Sequence, residues 1–234
     1  MSIDDYIKTA GLSDDDIIDI INQPDTHMSS IRHVTNPSEK VQIAAIDKHL
    51  QSILYIKNPT ENVQMMAVQS ALLAFMYIKN PTDNVIEYVL SKNPTYIIDV
   101  KNPTLEQQML AVQSRPFCIQ YIDRPHPDVI KYVLDTDIKC IRYLKKQPLD
   151  YVEKYVLSDP TGIMFIKEPS LKLKWMAFNK NPRAILNMKK PPTKMMWEAY
   201  YIDPSLLKKH YDCLPEKLKV LCILSKDHGQ LAPA

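Results

Sequence analysis

Apolar positions recur along the chain every 22 residues, in phase with a row of prolines at Pro37, Pro59, Pro81, Pro103, Pro125, Pro169 and Pro191. The fourth position after these prolines is Val41, Val63, Val85, Val129 and Leu173. The eighth is Ala45, Ala67, Val89, Ala111, Val133 and Ala177, and the ninth is Ile46, Val68, Leu90, Val112 and Leu134, with Val156 at the same place in the repeat where Gln147 replaces the proline. A spacing of four places side chains on one helix face, and the ninth position widens that stripe to a helix packed on one side. The pattern predicts an α-helix of about three turns in each repeat. A shorter apolar set follows: Ile53, Phe75, Ile97, Ile119, Ile141, Ile163 and Ile185, each with Ile56, Ile78, Val100, Ile122, Leu144, Ile166 or Met188 three residues later. Spacing by three over so few residues fits a short α-helix or a 3₁₀ segment, and the sequence leaves both open.

The prolines supply the punctuation. Asn58-Pro59-Thr60-Glu61 reads as a helix start with Asn at the N-cap, Pro at the first helical position and Glu at the third. Asn36-Pro37-Ser38-Glu39 and Asn80-Pro81-Thr82-Asp83 repeat this, which puts Thr60 in an exposed first turn where its loss matters little. A second row, Asn93-Pro94, Asp159-Pro160, Asn181-Pro182 and Asp203-Pro204, starts the short segments in the same way. Gln147-Pro148 shifts one proline by a residue, and Gln107 replaces the usual Val. A fixed period of this length is the signature of units that bury their apolar faces only by stacking. The expected fold is all-α: an α-solenoid of about eight 22-residue repeats wound into a curved superhelix. Residues 1–27 are expected to form acidic N-terminal capping helices, with Ser13 capping Asp14 to Asn22. The solenoid is expected over 28–211, a C-terminal capping helix over 212–226 and a disordered tail over 227–234.

Units such as KNPTENVQMMAVQSALLAFMYI, residues 57–78, resemble the short helical repeats of proteins from tailed phages and large DNA viruses. They are also similar to leucine-rich-variant and HEAT-like repeats, in which an α-helix alternates with a second helix or 3₁₀ turn. The resemblance implies a virus-encoded repeat protein with no catalytic motif to carry over. It also implies a mode of action by occlusion of a host protein, such as a component of bacterial antiviral defence.

Composition narrows the chemistry. Three glycines, Gly11, Gly162 and Gly229, exclude a glycine-rich phosphate loop. No apolar run approaches the length of a membrane span, and the acidic start is unlike a signal peptide, so a cytoplasmic location and no membrane partner are expected. Cys118 and Cys140 share a repeat position beside core isoleucines and are expected as reduced thiols. His210, Cys213, Cys222 and His228 are zinc-type ligands without a finger's spacing, and no metal, cofactor or catalytic residue is assigned. An enzyme is not expected.

What remains is a surface made of columns. Lys57, Lys79, Lys101, Lys145, Lys167 and Lys189 occupy one repeat position, broken once by Asp123. Each complements the negative end of a short segment, or together they form a ladder for an anion. Three residues earlier stand Leu54, Met76, Ile98, Met164 and Leu186, either an inner packing layer or an exposed stripe that marks a binding site. Tyr55, Tyr77, Tyr121 and Tyr143, with Phe165, form a third column suited to protein hot spots or to stacked bases. From Lys139 to Lys226 the chain carries 18 basic and 8 acidic residues, with arginine only at Arg142 and Arg183. The Tyr and Lys columns with Arg142 are the candidate binding residues. Specificity is assigned to the repeats that break the pattern, near Gln120, Asp123, Arg124 and Arg142. A host protein is the first expected partner. A small anionic nucleotide in a Tyr/Lys-lined pocket is the second, and nucleic acid on the basic half is the third.

Overall fold

The computed structural model describes residues 11–225, all helical and without a strand among them. The chain divides between His126 and Pro127 into two compact units. In the first, α1 (Asp14–Asn22) and a 3₁₀ turn, η1 (Ser30–His33), precede four repeats. Each repeat pairs a ten-residue α-helix with a six-residue 3₁₀ segment: α2 (Glu39–Lys48) with η2 (Leu50–Tyr55), α3 (Glu61–Ser70) with η3 (Leu72–Tyr77), α4 (Asp83–Lys92) with η4 (Pro94–Asp99), and α5 (Leu105–Ser114) with η5 (Pro116–Tyr121). The second unit holds four more pairs: α6 (Pro127–Thr136) with η6 (Ile138–Tyr143), α7 (Leu149–Ser158) with η7 (Pro160–Phe165), α8 (Leu171–Lys180) with η8 (Pro182–Asn187), and α9 (Thr193–Ile202) with η9 (Pro204–Cys213). It ends in α10 (Glu216–Leu224). This is an α-solenoid whose second segment is 3₁₀, the alternative that spacing by three left open.

The apolar columns read from the sequence are the core. Val41, Ala45 and Ile46 in α2, with Val63, Ala67 and Val68 in α3, are buried, as are Ile53, Phe75 and Ile97 in the short segments. The helix starts differ from expectation in the first row. Ser38, Thr60 and Thr104, not the asparagines, are the N-caps, and each hydroxyl accepts the amide N–H three residues on. Glu39 and Glu61 therefore open their helices instead of standing third. Asn36 and Asn102 take left-handed turns at φ 48° and 52°, a conformation asparagine tolerates better than most residues. In the second row the expected grammar holds: Asn93, Asp159, Asn181 and Asp203 each cap a 3₁₀ segment with proline next. The helices keep their 22-residue register through Gln147-Pro148, because α7 starts at Leu149, 22 residues after Pro127. Gln147 makes this possible by donating its side-chain amide to the carbonyls of Ile141 and Phe165 and accepting the Lys167 N–H.

Other buried glutamines tie neighbouring repeats in the first unit. Gln42 donates to the Pro37 carbonyl and accepts from the Thr60 N–H, 18 residues on. Gln64 donates to Pro59 and accepts from Thr82, and Gln108 joins Pro103 to His126 in the same way. Each satisfies a backbone carbonyl and a backbone amide that the turns leave without partners. Gln107, the departure from Val, forms a capping box with Thr104 and reaches Asp83.

Of the acidic cap, residues 1–10 lie outside the described residues. α1 follows Ser13 as expected, with a capping box to Asp16. Asp14 accepts from Ser38, and Asp15 pairs with Lys40, so these acids fasten the cap to the first repeat. The expected tail, 227–234, also falls outside the described residues.

Candidate functional site

The short segments decide the status of the apolar column. In a 3₁₀ helix residues three apart eclipse, so one position points inward and another outward along the whole segment. Ile53, Phe75 and Ile97 point inward. Their neighbours Leu54, Met76 and Ile98 are 40%, 59% and 61% exposed, and Met164 in the second unit is 55% exposed. The column is a surface stripe, not an inner packing layer. Leu186 is the half-buried exception. Leu73, one turn before Met76 in η3, is also exposed, a contribution that its place three residues upstream could have signalled.

All six column lysines are exposed, and open grooves beside the turns bring several of them together with apolar neighbours. In the first unit, one groove of about 350 Å³ is lined by Arg32, Tyr55 and Lys57. Another, of about 490 Å³, is lined by Met76, Lys79, Asp99 and Lys101. In the second unit, Lys145 and Lys167 share a groove of about 620 Å³ with Glu153 and Glu168. There the Lys167 ammonium donates to the Lys145 carbonyl at 3.1 Å, and Glu153 pairs with Lys172. Lys189 stands apart from these grooves, and its carbonyl receives the Lys174 ammonium.

The tyrosines are not gathered into one pocket. Tyr55, Tyr77 and Tyr121 are half-buried, and Tyr143 is exposed. Tyr55 lies beneath the Arg32 guanidinium, 5.0 Å from the ring centroid, and Tyr121 meets Phe117 edge-to-face. Arg142, a candidate for specificity, is half-buried over the Phe165 ring at 4.2 Å and donates its Nε–H to the Lys139 carbonyl. These contacts use its charge and its plane within the fold.

His210 is buried, with Nε2 2.7 Å from the Ile185 carbonyl, and His228 lies outside the described residues. Among the described residues no group of three His, Cys, Asp or Glu converges as a metal site, and no helix is long and apolar enough to cross a membrane. Cys118 and Cys140 are buried free thiols, and burial pushes Cys140 up to about 11, so its thiol stays protonated at neutral pH. Glu39 is held below its ordinary value by hydrogen bonds from the Thr60 hydroxyl and the Asn62 amide, and Glu61 by one from Asn84 foremost. They join adjacent repeats. Comparison with protein-family models, curated proteins and solved structures finds no match.

Proposed function

We propose that the chain is a non-enzymatic binding scaffold that holds a partner protein on the exposed face of its 3₁₀ segments. The observation that carries this is the stripe of Leu54, Met76 and Ile98, open to solvent beside a fully occupied core. Apolar surface repeated at a fixed position and rimmed by lysine is the composition of a protein-binding patch. The resemblance to phage and viral repeats supports a host protein as the partner, such as an antiviral-defence component, met in the host cytoplasm. Sequestration of a small anionic nucleotide or binding of nucleic acid draws support from the paired lysines. The carboxylates of Glu153 and Glu168 interrupt the lysines of the second-unit groove and oppose a polyanion tracking the basic half, so protein is the stronger reading.

The test is co-purification of the tagged chain from expressing bacterial cells, with mass spectrometry of captured proteins and small molecules. Met76→Asp and Met164→Asp should lose the captured protein while keeping the wild-type circular dichroism and Tm, because exposed side chains add to affinity and little to folding. Replacement of Lys145, Lys167 and Lys189 by Gln should matter less. Loss of a bound nucleotide or nucleic acid in the lysine variant alone, with a reduced salt slope, would overturn the protein reading.

A further inference from the structure

We propose, resting on the reading above, that the first unit receives an extended acidic segment of its partner, with an apolar residue at every third position and a carboxylate within each triplet. The juxtaposition that assigns this ligand is an exposed apolar side chain at one fixed position in three successive repeats, Leu54, Met76 and Ile98, each followed three residues later by an exposed lysine, with Met76, Lys79 and Lys101 sharing one open groove.

The geometry follows from the stack. η2 packs on η3, and the Phe75 ring meets the Tyr96 ring edge-to-face across η3 and η4 at 5.9 Å, so the three short segments are consecutive layers. Packed helical layers repeat at about 10 Å. Leu54, Met76 and Ile98 therefore offer one apolar contact about every 10 Å, and the next position in the column is Gln120, which ends the run. A chain extended as polyproline II advances about 3.1 Å per residue with three residues per turn, so its every third side chain returns to one face about 9.3 Å further on and meets the next layer, whereas a β-strand would turn alternate members of such a set away. An α-helix advances about 10.5 Å in seven residues and would use one residue in seven, leaving its own i, i+3, i+4 stripe uncovered. The column suits the extended chain.

Charge fixes the rest of the ligand. Arg32 and Lys57 line the first groove without a carboxylate among its lining residues, and Lys79 and Lys101 line the second against the single Asp99. The carboxylates that open α2 and α3 are turned to other uses: Glu39 accepts from Thr60 and Asn62, and Glu61 from Asn84. The face is apolar at its contact points and cationic between them, which selects a carboxylate-bearing peptide over a basic one.

The probe is a fluorescein-labelled peptide of three Leu-Pro-Glu triplets, about nine residues long, in which proline favours the extended form. Fluorescence anisotropy should show it binding at least about tenfold more tightly than a peptide of the same composition with Leu at every fourth position. Met76→Asp should abolish that preference. Ile98→Thr, a milder change at an equally exposed site, should weaken it. K79E/K101E should lose the acidic peptide and gain the version in which Lys replaces Glu. Equal binding of the two spacings, tighter binding of a helical heptad peptide, or full displacement by oligo(dT) would each overturn the extended-segment proposal. The outcomes separate it from the broader reading. If Met76→Asp abolishes partner capture in cells and the spacing has no effect, only the extended segment is wrong. If capture survives Met76→Asp, both are wrong.

Discussion

Gly162 and Tyr155 form a size exchange confined to one repeat. Tyr155 stands where other helices carry Ala67, Ala111 or Ala177, and its side chain is fully buried. Gly162 stands where other short segments carry Ala74, Cys118, Cys140 or Ala184, all buried. A Cβ on Gly162 would lie 2.4 Å from the Tyr155 Oη, 2.6 Å from Cζ and 2.9 Å from Cε1. Gly162 is outside the left-handed region, so the glycine is required for space alone. Gly162→Ala should then cost about 1–3 kcal/mol, the range for overpacking a core. Tyr155→Ala should cost about 3–5 kcal/mol through lost burial and the cavity it leaves. In that background Gly162→Ala meets no ring and should gain about 0.4–1 kcal/mol by restricting the unfolded chain. The two sites are thus expected to couple by about 1.4–4 kcal/mol, read from urea melts of the four proteins. Trp175 fluorescence is a local reporter, because α8 packs on η7. An equal cost of Gly162→Ala with Tyr155 and with Ala at that position would refute the argument.

Thr60→Ala should cost about 1 kcal/mol in urea melts, because Thr60 caps α3 and donates to Glu39. Ala67→Leu, at a site with no exposed surface, should cost about 1–3 kcal/mol by overpacking. Gln64→Met should cost about 1–3 kcal/mol by leaving the Pro59 carbonyl and the Thr82 amide unpaired, while Gln69→Met on the exposed face of α3 should leave the midpoint unchanged. Glu39 and Glu61 have folded pKa values below the ordinary 4.5, so their contribution is fully present above that pH and is lost as pH falls through the lowered values. E39Q/E61Q should accordingly flatten the acid limb of a Tm-against-pH curve without changing its shape above pH ~5.

The period, the two segments and the buried columns were legible because packing repeats the same demand at the same position in every unit. Cap placement in the first row was less so. Asn-Pro-Thr offers two capping residues two apart, and only the backbone path decides between them. Thr60 is extended at φ −64° and ψ 159° with its hydroxyl on the Val63 amide, whereas the first-row asparagines Asn36 and Asn102 serve left-handed turns. The 3₁₀ segments gave no such choice, since a single extended residue such as Asn93 ends one helix and starts the next. Gln42, Gln64 and Gln108 share the fifth position after a proline, a regularity visible in the sequence that carries no apolar signal to mark the position as buried. The packing of Arg142 was hidden for a different reason. Its partners Phe165 and the Lys139 carbonyl are set by tertiary contact and by the eclipsed 3₁₀ turn, neither of which a repeat alignment displays.

The same alignment makes the apolar stripe informative. Gln120 and Arg142 occupy its column in two repeats, and the inward residues beside them, Ile119 and Ile141, remain as buried as Ile53 and Ile97. Packing therefore places no apolar demand on that position. Burying a Leu, Met or Ile side chain is worth about 1.5–3 kcal/mol, and little of that is realised by Met76 or Ile98 at 59% and 61% exposure. Folding does not account for three such residues in successive repeats, and solubility is served better by the glutamine the fold already accepts. A partner that covers Leu54, Met76 and Ile98 together would realise that free energy on binding, with Lys57, Lys79 and Lys101 selecting acidic chains from others of equal hydrophobicity.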